Sequence, residues 1–307
     1  MVLARAFMAF AVTAVFVLLV PPAPEVQAAC NGVRIASGEN IQRAIDQRGA
    51  GTAFCLTGTY TIRTTIKPKN GTVLRGPAVL VAANGVDQGI DATKASGVQL
   101  ISLEIRGFDD RAFKCGERSV VRASYFHHNG RNGMGGGECH YLLVVDSRFT
   151  DNGNLDELGQ GSAGIKIAGS DHAVIRGNLV EDNTGVGIWC DEDCRDWLVE
   201  GNRAFRNGRK GIFLEKGAGA IIRNNTSRNN NYLRQAVGGG IGAVSSIDVQ
   251  IYGNLLGGNT AHGIKVWDDR RGYRLDDVTI HHNDLDGDQL SGCNEDGVTC
   301  TSNTNVE

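Results

Sequence analysis

One short phrase returns along this chain at a nearly fixed interval, and its return limits the fold more than any other feature. The phrase is Gly-Ile followed by an alternation: Gly164-Ile165, Gly187-Ile188, Gly211-Ile212, Gly240-Ile241 and Gly263-Ile264. The glycines are 23, 24, 29 and 23 residues apart. A second frame keeps step with it. Asn178, Asn202, Asn225, Asn254 and Asn283 close short apolar runs, and Asn183, Asn207, Asn230 and Asn259 follow the first four of them. Ser124 with Asn129, and Ser147 with Asn152, extend the frame upstream.

Apolar alternation of period two marks strands, and Asn and Gly mark corners where the chain turns. No unit has the length or periodicity of a helix between strands. One unit cannot bury its own apolar side chains, but stacked units share a continuous core. Coils about 4.8 Å apart satisfy their backbone groups by parallel pairing. Asn at one corner of successive coils can form an amide ladder. The expected fold is therefore all-β, a single-stranded parallel β-helix, with a short N-terminal capping helix. A leucine-rich repeat has a similar period, but its L-x-x-L-x-L signature is missing. A propeller needs longer, antiparallel blades.

The frames set the boundaries. Residues 1–28 read as an export signal, with Arg5, an apolar run from Phe7 to Val20, Pro21-Pro22, and a small-residue cleavage site at Val26-Gln27-Ala28. That run is short for a bilayer span, which needs roughly 20 residues, so a secreted chain with no membrane span is expected. Residues 29–51 read as a cap, with Ile41, Ala44 and Ile45 on one helix face and Ser37 as its N-cap. Residues 52–287 read as the solenoid and 288–307 as a C-terminal cap or tail. A net charge of −3 gives no electrostatic case for nucleic acid, and a monomer is expected. Eight cysteines in an exported chain suggest disulfides. The expected pairs are Cys30–Cys55, Cys115–Cys139, Cys190–Cys194 and Cys293–Cys300.

The Asn and Gly frames resemble those of the right-handed parallel β-helix superfamily, the fold of pectate lyases and polygalacturonases, and most of all the secreted bacterial parallel β-helix repeat proteins. The resemblance covers residues 52–287. It implies a right-handed coil, in line with the general crossover rule, and a carbohydrate-active protein of lyase, epimerase or hydrolase type. The polygalacturonase Asn-Thr-Asp, Gly-His-Gly and Arg-Ile-Lys set is absent. So are the Asp-Pro-His-Asp of alginate epimerases and the Trp-x-Asp-His of pectate lyases. No catalytic role carries over residue by residue, and the candidate site rests on geometry.

If the Gly-Ile strands stack, Lys166, Trp189, Phe213, Gly242 and Lys265 point outward in one row. Ala168, Asp191, Glu215, Val244 and Trp267 form the next. Trp189, Phe213 and Trp267 are then aromatics on an outer face, suited to stacking on sugars, with Lys216 beside them. Asp191 and Glu215 sit side by side on adjacent coils, where two carboxylates repel unless a cation intervenes. Three chemistries fit. The pair can perform glycoside hydrolysis. Asp191, Asp193 and Glu215 can hold Ca²⁺ through hard oxygens, with Lys166, Lys216 or Lys265 as the base of a uronate elimination. Reprotonation in place of elimination gives an epimerase. No other cofactor is expected. His140, His172 and His262 are further candidates. Longer connections after Asn152 (with Asp156 and Glu157), after Asn230 (with Tyr232 and Arg234) and from Asp268 to Asp276 are placed to wall a cleft. The competing function is a non-catalytic glycan-binding or cell-surface structural solenoid.

Overall fold

The repeating glycine has a steric cause. A computed structural model of the chain describes residues 30–153, 161–271 and 273–306. In it, a Cβ added at Gly187 would lie 2.5 Å from the Gly211 carbonyl oxygen and 2.9 Å from Asn207 Nδ2. At Gly211 it would meet Ser227 Oγ at 2.1 Å and Asn230 Nδ2 at 2.8 Å. The first four glycines of the phrase stand where a buried Asn passes, and Gly263 stands beside Asp288; no side chain fits there.

Those asparagines form two ladders. In the first, Asn129, Asn152, Asn183, Asn207 and Asn230 each donate Nδ2 to the next Oδ1 at 2.9–3.0 Å, and Asn259 donates to Asp288 at the end. The second joins Asn178, Asn202, Asn225, Asn254, Asn283 and Asn303 in the same way. The remaining amide proton goes to a backbone carbonyl one coil back, such as Val180 for Asn207. A buried amide is costly unless bonded, so the ladders tie successive coils at fixed height.

Every strand pairing is parallel. The Gly-Ile strands belong to a nine-stranded sheet that includes Gln88–Asp91, Arg111–Lys114, Asn132–Gly137, Ala163–Ala168, Val186–Asp191, Lys210–Glu215, Gly239–Val244, Ile264–Trp267 and Leu290–Ser291. Ile165, Ile188, Ile212, Ile241 and Ile264 are in register and buried in one continuous core. Shorter strands on either side of the second ladder's corner, such as Val174–Arg176 and Leu179–Glu181, complete each coil.

Both ends differ from expectation. The helix is Ile41–Asp46, and its N-cap is Asn40, whose side chain accepts from the Arg43 amide at 2.9 Å. Ser37 instead bonds Thr59. A strand, Val33–Ile35, already pairs with Phe54–Leu56 ahead of the helix. At the other end pairing runs past Gly287, because Val298–Thr301 aligns with Val278–His281. Disulfides join Cys115 to Cys139, Cys190 to Cys194 and Cys293 to Cys300. Cys30 and Cys55 are disulfide-bonded as well. Among the described residues no helix is long and apolar enough to cross a membrane. The segment read as an export signal, and Asp156 and Glu157, lie outside the described residues.

Candidate functional site

The outer face of the nine-stranded sheet carries its side chains in rows. One row runs Asp91, Lys114, Gly135, Lys166, Trp189, Phe213, Gly242, Lys265 and Ser291. The next runs Gly137, Ala168, Asp191, Glu215, Val244 and Trp267. The register expected from the repeat is the one observed.

The aromatics are less open than the sequence suggests. Trp189 is 6% exposed and Phe213 8%, and both pack with Ala163, Val186 and Val244; only Trp267 stays partly exposed. The rings form a line, with centroids 5.9 Å apart from Trp189 to Phe213 and 6.0 Å from Phe213 to Trp267. Lysines lie over them. Lys166 Nζ is 3.7 Å from the Trp189 centroid and Lys265 Nζ is 5.7 Å from that of Trp267.

Asp191 and Glu215 stand on neighbouring coils in register, but a cation has come to each. Lys166 Nζ is 3.0 Å from Asp191 Oδ2, and Arg271 donates to Glu215 Oε1 at 2.8 Å from the long connection after Trp267. Arg271 also holds Asp269. Asp193 takes the Tyr273 hydroxyl, and Lys216 turns to Glu192 at 2.6 Å. Asp191, Asp193 and Glu215 thus each have a different partner. Among the described residues no three His, Cys, Asp or Glu side chains gather closely enough to hold a metal ion. His140 and His172 lie beside Asp171 and Asp196, away from this row.

One residue escaped the sequence reading. Lys210 opens the strand Lys210–Glu215, and its ammonium lies 4.1 Å from the Phe213 centroid and 5.0 Å from that of Trp267. It is only 3% exposed and has no carboxylate partner among the described residues. Burial, then the neighbouring Arg209, pushes its pKa down to about 7; Glu215 opposes and Lys265 adds to the fall. A side chain at Gly242 would collide with the Lys210 stem at 2.6 Å, so that glycine makes room for it. The signal was present: Ala163, Val186 and Gly239 hold the corresponding place in other Gly-Ile strands, and Lys210 alone is charged. His262 completes the group. Its Nε2 is 3.4 Å from Lys265 Nζ, and its Nδ1 is buried with no hydrogen-bond partner among the described residues. Burial, Lys265 and Lys210 all depress its pKa.

The family described as right handed beta helix region matches residues 88–256, more than half of the chain, and the chain belongs to it. No curated protein sequence matches. Among solved structures it is similar to the catalytic unit of a thermostable α-1,3-glucanase from Streptomyces thermodiastaticus, at 13% identity and TM-score 0.63, over 90% of this chain and 64% of that one. It is similar to an endo-xylogalacturonan hydrolase from Aspergillus tubingensis at 10% identity and TM-score 0.56, over 89% and 90%. A pectate lyase matches at 16% identity and TM-score 0.55, over 89% and 80%. At these identities the likeness is one of fold.

Proposed function

We propose that this right-handed β-helix protein is exported and acts on an acidic polysaccharide laid along the outer face of its nine-stranded sheet, in a step that begins with removal of the proton beside a uronate carboxylate. The observation that carries this reading is Lys210. Its pKa of about 7 leaves its amine partly neutral at neutral pH, and a neutral amine can accept a proton. Lys265, next to it and free of any carboxylate among the described residues, supplies the charge that holds the uronate carboxylate and makes the adjacent C5 proton more acidic. Lys210 takes that proton. The electron pair left behind forms the C4–C5 double bond as the C4–O bond to the departing sugar breaks, and the departing oxygen takes a proton from water. Return of a proton to the opposite face of C5 would give epimerisation instead.

Hydrolysis by Asp191 and Glu215 receives less support, since Lys166 and Arg271 already occupy both carboxylates. A binding role without turnover is favoured by one fact: Lys210 is covered, and must be uncovered to meet a substrate. The disulfides support export, because such bonds persist in oxidising compartments. Kinship of fold with enzymes acting on polysaccharides is consistent with the substrate class.

The test is a screen of uronate and neutral polysaccharides, each with and without a chelator. Ultraviolet absorbance from an unsaturated uronate is expected. New reducing ends without that absorbance would replace the reading by hydrolysis, and saturable binding without either product would replace it by a glycan-binding role. Loss of activity with chelator would add Ca²⁺ to the site.

A further inference from the structure

Upstream of the aromatic line the same face changes character. Gly135 and Gly137 occupy the outward rows between Lys114 and Lys166 and beside Ala168. Their missing side chains leave a floor of bare backbone. The close approach there is real: a Cβ at Gly135 would lie 2.3 Å from the Lys166 carbonyl oxygen. At the Gly137 end of this floor is a cavity of about 280 Å³ lined by Arg111, Lys114, Arg131, Asn132 and Lys166, with no carboxylate lining it among the described residues.

Two of these cations have acid partners. Asp110 holds Arg111 at 2.8 Å and Asp191 holds Lys166 at 3.0 Å. Asp91 is in register with Lys114 but accepts from Thr93, and Lys114 helps to hold its pKa low. Arg131 has no carboxylate among the described residues. These pairs hold Arg111 and Lys166 in place, so less ordering is lost when an anion arrives. Two guanidiniums suit a planar carboxylate, which they can grip through paired N–H groups.

We propose that Arg111, Lys114, Arg131 and Lys166 form a carboxylate-binding subsite for a sugar acid, separate from the Lys210–Lys265 centre and in register with it along one row. The identity of the ligand as a sugar acid rests on the acidic-polysaccharide reading; the anion site does not. From Gly135 to Lys265 the row advances five coils, roughly 24 Å at about 4.8 Å per coil. A sugar residue in an extended chain advances by a similar length. Short oligomers therefore engage one centre at a time, while a chain long enough to bridge them gains from the second contact as an intramolecular event. The two centres together measure chain length.

Calorimetric titration with oligogalacturonates of two to eight residues tests this, on wild type and on the double variant Lys114→Gln, Arg131→Gln, with circular dichroism to check that the variant is folded. Affinity is expected to rise about tenfold or more between four and six residues in wild type. The double variant should lose that step and bind the dimer at one centre instead of two. A step that survives in the double variant, or wild-type affinity with no step, overturns the subsite. If no oligomer binds wild type, the polysaccharide reading itself fails. The anion site is then read with inorganic sulfate, through the NMR shift of the Arg131 Nε–H. A saturable shift absent from Lys114→Gln upholds the site, and no saturable shift overturns it as well.

Discussion

The two ends of one sheet face solve the same problem in opposite ways. Upstream, Lys114 and Lys166 flank a glycine and line a cavity, and Lys166, which lies over Trp189, also has a carboxylate at 3.0 Å. Downstream, Lys210 and Lys265 lie over aromatic rings, with no carboxylate partner among the described residues. The backbone ladder is identical at both ends; only the residues in equivalent slots differ. An ion pair keeps a lysine charged and costs little at a surface. A bed of rings attracts the ammonium by about 2 kcal/mol when desolvated, but burial works against the charge. Downstream this leaves Lys210 with a pKa of about 7. In the proposed reading one end holds an anion and the other exchanges a proton.

Replacing Trp189 with Ala should have the largest effect on the contrast. Trp189 is 6% exposed, and removal of such a side chain costs about 3–5 kcal/mol, read by chemical denaturation. A loss below about 1 kcal/mol would mean that the downstream half is an open face after all.

Lys210→Met comes next, and its sign is opposite. The folded-state pKa of Lys210 lies at about 7, below its ordinary 10.5. Below pH 7 both folded and unfolded chains carry the proton, and the full cost of burying the charge is present. As pH rises from about 7 to 10.5 the folded chain releases its proton first, and the cost falls away. The variant should therefore be more stable than wild type at pH 6, by about 1–4 kcal/mol on the scale of buried-charge replacement, with the difference shrinking by pH 10. Equal stability at both pH values would place the lysine in water.

Asp191→Asn has a smaller effect. It releases Lys166, and a partly exposed pair of this kind contributes about 1 kcal/mol or less. Turnover should fall less than about tenfold, equivalent to 1.4 kcal/mol; a fall of several hundredfold would restore Asp191 as a catalytic acid or base. Lys216→Ala is the smallest. Its partner Glu192 is largely exposed, so stability should change by no more than about 0.5 kcal/mol, and a larger loss would show that this turn supports the centre.

The repeat made most of the fold legible. The spacing alone put Asn207 and its counterparts at one corner as an amide ladder; that Gly187 packs against Asn207 is seen only in the structure. The outward row through Lys166, Trp189, Phe213 and Lys265 followed from period two. What the sequence could not supply was cover. Burial of Trp189 and Phe213 depends on neighbours such as Val244, which lie a coil or more away. The fate of Glu215 depends on Arg271, 56 residues along the chain, and no local pattern links them. Lys210 was missed for a local reason. Alternation counted from Ile212 stops at the glycine, whose bare Cα faces the Asn ladder, and the residue before it returns to the outer face. The ends were misjudged because Asn40 and Asn303 lie outside the regular interval.

In the proposed reaction this face removes the proton at C5 of a uronate, with Lys210 as the acceptor. The most direct measurement is NMR of the substrate C5–H during incubation in heavy water, with wild type and Lys210→Met. The account predicts that the C5–H signal of the acidic polysaccharide disappears with wild type, whether the product is unsaturated or inverted, and persists with Lys210→Met. A polysaccharide that is cleaved while its C5–H stays intact, or a Lys210→Met variant that removes the proton at the wild-type rate, would contradict it.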